Sequence, residues 1–153
     1  MRKSFPQPTS PKRLSALPHA NVYVRLAPSR IHGIGVVAVR RIPKGAPIFG
    51  ADETDLIWVD IAATLRLPAA IKALYDDFCV QKGTKYGCPR NFNDVTVSWY
   101  LNHSDRPNVI CGPDYRFLAA RTIRSGEELT ADYRTYSANP TPWRRAKATR
   151  NRS

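Results

Sequence analysis

The sequence predicts a mainly β fold with some helix (β+α), made of several small sheets and one short helical insert. Two observations carry that expectation. Short alternating or β-branched runs, separated by turns rich in Gly and Pro, occupy both ends of the central region. Between them lies a segment whose apolar residues recur at helical spacing.

The elements follow in order. Val22, Val24 and Leu26 alternate with polar or small residues, the period of a half-buried strand, and Pro28-Ser29 ends it. After Gly33-Ile34-Gly35, the run Val36-Val37-Ala38-Val39 has the composition of a buried strand. Ile42-Pro43-Lys44-Gly45 reads as a turn, and Pro47-Ile48-Phe49 begins another extended piece. Asp60 is placed to cap a short helix ending near Leu67, and Pro68 suits the first position of a second helix. Ile71, Leu74, Tyr75 and Phe78 then fall at i, i+3, i+4 and i+7, one helical stripe that reads as core packing. Val95, Val97, Trp99 and Leu101 alternate, a pattern that fits a strand or a helical turn. Gly112-Pro113-Asp114 is a hairpin-type turn, after which Tyr115, Phe117 and Ala119 alternate. Ile123-Arg124-Ser125-Gly126 is a turn of the same kind as Ile42-Pro43-Lys44-Gly45, and no internal repeat is present.

The length of 153 residues is that of one domain. Its organisation is legible in the charge. All twelve acids lie between Asp52 and Asp132, while residues 1–18 carry +4, residues 134–153 carry +6, and residues 19–133 carry only +2 of the net +12. Residues 1–18, with Pro6, Pro8, Pro11 and Pro18, read as a disordered basic tail. Residues 19–137 read as the folded domain, and residues 138–153, with Pro140 and Pro142, as a second basic tail. Such tails either attract polyanions such as nucleic acid weakly and without sequence reading, or serve only solubility. Cys79, Cys88 and Cys111 are odd in number and widely spaced, which fits neither a disulfide framework nor a four-cysteine zinc site. A reduced, intracellular setting is expected, cytoplasmic or associated with chromatin or a nucleoid. No run approaches the ~18 apolar residues of a membrane span. The basic N-terminus lacks the apolar stretch of a secretory signal. Neither a membrane partner nor any particular oligomeric state follows from the sequence.

Three separated pieces carry chemistry. In Ser29-Arg30-Ile31-His32-Gly33-Ile34-Gly35, two glycines let the backbone approach a ligand closely. It is not a dinucleotide fingerprint, because the third glycine and the following helix are missing. The second piece is Trp99-Tyr100-Leu101-Asn102-His103-Ser104-Asp105-Arg106-Pro107-Asn108, where an amide and an imidazole stand side by side and can read a heterocycle's edge. The third is Gly126-Glu127-Glu128-Leu129-Thr130-Ala131-Asp132-Tyr133.

In this order the pieces resemble the SET-domain family of protein lysine methyltransferases, over roughly residues 22–133. The resemblance implies a fold of several small sheets in which the C-terminal motif threads a preceding loop as a pseudoknot. The helical segment sits where that family has its variable insert. It implies that Gly33, Ile34, Gly35, Asn102 and His103 hold S-adenosyl-L-methionine, and that Tyr133 is the hydroxyl at the methyl-transfer end of a lysine channel, itself also in reach of the cofactor. Many relatives carry zinc-binding cysteine clusters around the domain; here Asp105 stands where they often have a cysteine, and no cysteine follows Cys111. No metal is therefore expected. Trp143 or Tyr136 could cover the adenine and the channel in place of a zinc-bound segment, or Trp143 simply packs on the surface. Ala131 stands where relatives have Phe or Tyr, which implies room beside the lysine nitrogen for higher methylation states.

The chemistry fits these residue types. A free lysine has a pKa near 10.4 and arrives protonated. An apolar channel and a neighbouring positive charge both disfavour the ammonium form. A tyrosine hydroxyl can orient the amine without being a strong base. The implied activity is methyl transfer to the ε-amine of a protein lysine, with histones or other basic proteins as candidate substrates. A non-catalytic module of the same fold, bound to chromatin or nucleic acid through its tails, is the alternative.

Overall fold

The alternating stretch around 24–26 and the β-branched run at 36–39 form a five-pair antiparallel hairpin in the structure, a computed structural model that describes residues 17–50 and 56–138. Strands β1 (Val24–Pro28) and β2 (Ile34–Ala38) pair from Val24 with Ala38 to Pro28 with Ile34. Val24, Val36 and Ala38 turn into the core. The other edge of β2 takes β9 (Glu128–Ala131), with Val36 opposite Leu129.

The two turns that look alike in sequence lie side by side. Ile42 and Ile123 form an antiparallel bridge and exchange both backbone hydrogen bonds at 2.9 Å. Both side chains are 0% exposed. Each isoleucine leads into a turn closed by a 3.1 Å backbone bond, from Ala46 N–H to Pro43 O and from Glu127 N–H to Arg124 O. The core thus has a matched pair of anchors in these two isoleucines.

Strand β9 is the centre of the domain. Strands β6 (Asn102–His103) and β7 (Val109–Cys111) both run parallel to it, and β8 (Phe117–Ala119) completes the sheet antiparallel to β7. The carbonyl of Ala131 accepts from Ser104 N–H at 3.1 Å, and that of Thr130 from Asn108 N–H at 3.2 Å. Successive carbonyls of a strand point to opposite edges. β6 and β7 therefore flank β9 on its two sides, joined only by residues 104–108, and β9 passes between the two arms of one loop. This is the pseudoknot that the resemblance implied.

The insert is richer than its helical periodicity suggests. Besides α1 (Ile61–Thr64) and α2 (Ala69–Phe78) it contains a three-stranded sheet in the order β3 (Ile57–Asp60), β5 (Lys85–Cys88), β4 (Val80–Lys82). Asp60 does precede α1, yet its side chain makes no capping bond and instead lies 3.8 Å from Lys85 Nζ. Pro68 is the residue before α2 rather than its first helical position. The apolar stripe of α2 is not core: none of its residues is fully buried, and Ile71 is 46% exposed. Tyr75 leans on a small satellite cluster, edge-on to Phe92, while Phe78 stands edge-on to Tyr100 at the margin of the main core. The undecided stretch around Val97 is a 3₁₀ turn, Val97–Tyr100. Among the described residues no helix is long and apolar enough to cross a membrane. Both basic tails fall almost entirely outside the described residues, and with them Trp143.

Candidate functional site

The three motifs meet where β6 joins β9. Asn102, only 7% exposed, directs its side-chain amide into the turn between β1 and β2. Its Nδ2 lies 3.1 Å from Ser29 Oγ, 3.1 Å from His32 O, 3.3 Å from Ile34 O and 3.0 Å from Glu128 Oε1. The amide of Asn102 is thus occupied in fastening that turn to β9. The turn is also closed within itself by Ser29 N–H donating to Gly33 O at 2.9 Å. Gly33 has φ +48°, a left-handed conformation that favours glycine, and a Cβ there would meet nothing within 4 Å. Ile34 beside it is 50% exposed. The outer face of the turn is therefore an open, partly apolar cradle.

On the far side of β6, His103 is enclosed by the segment that leaves β9. Its Nδ1 accepts from Tyr133 N–H at 3.2 Å, so the other ring nitrogen, Nε2, carries the proton and faces Asp105 Oδ1 at 3.4 Å. Asp132 lies 3.7 Å from Nδ1 and caps the 3₁₀ turn Tyr133–Thr135 by accepting from Arg134 N–H. The Arg134 guanidinium grips the same carboxylate through Nε and Nη2, both at 2.8 Å, which holds Asp132 below the usual carboxylate range. Arg134 also reaches Asp105 at 3.1 Å. The imidazole is thereby held between two carboxylates that share one counter-ion.

Tyr133 is the hinge of the arrangement. Its hydroxyl donates to the Leu101 carbonyl, and desolvation pushes the phenol well above the usual tyrosine value. Its ring tilts against His103 at 5.3 Å and against Tyr136 at 6.0 Å. Tyr136, desolvated likewise, stands edge-on to Phe117 at 5.5 Å. Tyr133, Tyr136 and Phe117 line a solvent-open cleft together with Phe78, Trp99 and Leu101. Asp77 supplies its acidic side chain. None of Gly33, Ile34, Gly35, Asn102 or His103 lines this cleft. The glycine turn and the aromatic cleft are thus separate surfaces, bridged by the chain from Leu101 to His103 and by Tyr133.

The model of the SET domain matches residues 33–134. The chain belongs to the SET-domain family. Among solved structures, a humanised mutant of the Chaetomium thermophilum Polycomb Repressive Complex 2 bound to the inhibitor GSK126 aligns with a TM-score of 0.53 and 18% identity. That alignment covers 77% of this chain and 16% of that one. A Plasmodium falciparum protein described as a histone methyltransferase aligns with a TM-score of 0.48 and 16% identity, over 73% of this chain and 93% of that one. No curated protein matches the sequence.

Within this SET domain the residues singled out by sequence are distributed unequally. Gly33, Ile34, Gly35, Asn102 and His103 share one neighbourhood, and Tyr133 and Tyr136 share the cleft. Ala131, expected beside the lysine nitrogen, is 1% exposed and packs in the main core. Its backbone pairs with His103 on one edge and Val109 on the other. Two residues were quoted in the motifs without being given a task. Glu128 accepts from Asn102 and from Ser29. Asn108 uses its side chain as a surrogate strand, donating to Glu128 O and accepting from Thr130 N–H, both at 2.9 Å. The signal for both was their polar character beside core positions: Asn108 is buried, and Glu128 opens the most buried strand of the sheet.

Proposed function

We propose that this SET domain transfers a methyl group from S-adenosyl-L-methionine to the ε-amine of a lysine in another protein. The observation that carries the reading is Tyr133, whose desolvated hydroxyl ties the aromatic cleft to the strand that fastens the glycine turn. The residues at the turn fit the cofactor: an open cradle at Gly33, an exposed Ile34, and the adjoining backbone of Asn102 and His103 would hold it. When bound, S-adenosylmethionine supplies an electrophilic methyl group.

The remaining work falls to the chain. Phe78, Trp99, Phe117 and Tyr136 form walls that strip water from an aliphatic side chain. A tyrosine is protonated at neutral pH and burial raises the Tyr133 pKa further, so it is a hydrogen-bonding group rather than a base. With its own proton given to Leu101 O, its oxygen retains lone pairs to accept an N–H and orient the amine nitrogen. Orientation of this kind lowers a bimolecular barrier without chemical participation.

The test is methyl transfer from labelled S-adenosylmethionine into a whole-cell extract, followed by identification of the modified residue. Label on a protein lysine is expected. Calorimetry that finds no S-adenosylmethionine binding would refute the reading and leave a non-catalytic SET module.

A further inference from the structure

We propose that Ser29 and Glu128 are positioning residues for cofactor binding: with the Asn102 amide they form a polar clasp that sets the shape of residues 29–35, on which affinity for S-adenosylmethionine depends. The inference rests on the function proposed above and adds two residues to it.

The clasp joins three distant parts of the chain. Ser29 Oγ–H donates to Glu128 Oε1 at 2.7 Å, across 99 residues. The same Oγ accepts from Ile31 N–H at 2.9 Å and from His32 N–H at 3.3 Å. Asn102 Nδ2 has two protons and four oxygens in range, on Ser29, His32, Ile34 and Glu128. Space for the carboxylate exists because residue 35 is glycine: a Cβ there would collide with Glu128 Oε1 and lie 3.0 Å from Ser29 Cβ.

Packing holds this turn only in part. Ile31 is 40% exposed, Ile34 is 50% exposed, and Gly33 has open space where a side chain would stand. A surface turn with half-exposed apolar residues belongs to the low-stability end of a fold unless hydrogen bonds order it. Here they converge on one hydroxyl, one amide and one carboxylate. A ligand that needs the turn in one shape binds in proportion to the population of that shape. The clasp raises that population before the ligand arrives.

The experiment compares wild type with Ser29→Ala, Ser29→Thr and Glu128→Gln in the full chain. Cofactor Kd is measured by calorimetry, amide hydrogen exchange at 31–34 in the absence of ligand, and KM for a lysine peptide. Ser29→Ala is expected to weaken S-adenosylmethionine binding about tenfold, the loss of one to two hydrogen bonds expressed as affinity. It should speed exchange at 31–34 and leave peptide KM unchanged. Ser29→Thr, which keeps the hydroxyl, restores both, and Glu128→Gln, which keeps one acceptor oxygen, falls between. A merely structural role would lower the melting temperature without moving Kd. Wild-type affinity in Ser29→Ala overturns this proposal alone, whereas wild-type protein that binds no S-adenosylmethionine overturns it together with the proposed function.

Discussion

Replacing Tyr133 by Phe removes one oxygen atom and separates two effects that the structure joins. The hydroxyl is bonded to the Leu101 carbonyl, and Leu101 is 4% exposed. Tyr133→Phe therefore leaves a buried acceptor without its donor, at a cost of about 1–3 kcal/mol. For a chain of this size that lowers the melting temperature by between about 2 and 12 °C. A domain with an ordinary stability of about 5–15 kcal/mol stays folded at 25 °C after such a loss. The catalytic effect is larger: a misplaced nucleophile costs on the order of 100-fold in turnover. Cofactor affinity should not change, because the turn and Asn102 do not use the phenol. Melting by circular dichroism, S-adenosylmethionine Kd by calorimetry and single-turnover methyl transfer at 25 °C read the three quantities separately. Turnover equal to wild type in a folded variant would refute the positioning role.

The two glycines of the first motif should respond differently to alanine. Gly33→Ala pays only for a left-handed backbone, about 1 kcal/mol, and should fold. Gly35→Ala pushes its methyl into Glu128 and Ser29 and should weaken cofactor binding by more than the Gly33 change, read by calorimetry. Ile123→Ala opens a cavity beneath the paired turns and should cost about 2–5 kcal/mol in urea denaturation. Alkaline pH should destabilise the domain. Burial raises Cys111 from 9.0 to about 11, and raises Tyr133 and Tyr136 above 10.0. Groups raised in this direction give stability that is full below their unfolded pKa and lost as pH climbs through the folded value. Stability measured by denaturant titration should hold up to about pH 9 and fall above it, with Cys111 alone contributing about 2–3 kcal/mol.

What was legible in the sequence was what has a local signal. The turns at Ile42 and Ile123 carry Gly and a stereotyped approach, and both appeared as read, although nothing in either stretch announces that they pair with each other. Strand β1 followed from alternation and β2 from its β-branched run, although their pairing was not announced by either. The sheet of β3, β4 and β5 did not follow from any pattern, because its strands are three or four residues long and partly exposed, too short for a period to emerge. Helical spacing in α2 was real, yet spacing reports only that one face differs from the other. It does not report how large a core that face meets, and here Tyr75 meets a cluster of only three buried residues, Cys79, Tyr86 and Cys88. Within the site, the Asn102-His103 and Tyr133 motifs stood out, whereas the task of Glu128 depends on a partner 99 residues away.

The less legible contacts explain why the legible motifs lie together. Strand β9 touches each part of the site: Glu128 faces the turn, Ala131 pairs with His103, and Tyr133 follows two residues later. A one-residue slip of a strand reverses every side chain. Such a slip here would turn Glu128 away from Ser29 and carry Tyr133 past Leu101. A parallel contact of only two residue pairs between β6 and β9 is a weak register lock by itself. Asn108 supplies the missing constraint, since its side chain holds Glu128 O and Thr130 N–H while its own N–H holds Thr130 O. Three bonds from one buried residue define where β9 stops sliding. The loop that straddles β9 is therefore both a cover and a register gauge, and the second asparagine of the Asn102 motif works at a distance from the chemistry by fixing which residues of β9 reach it.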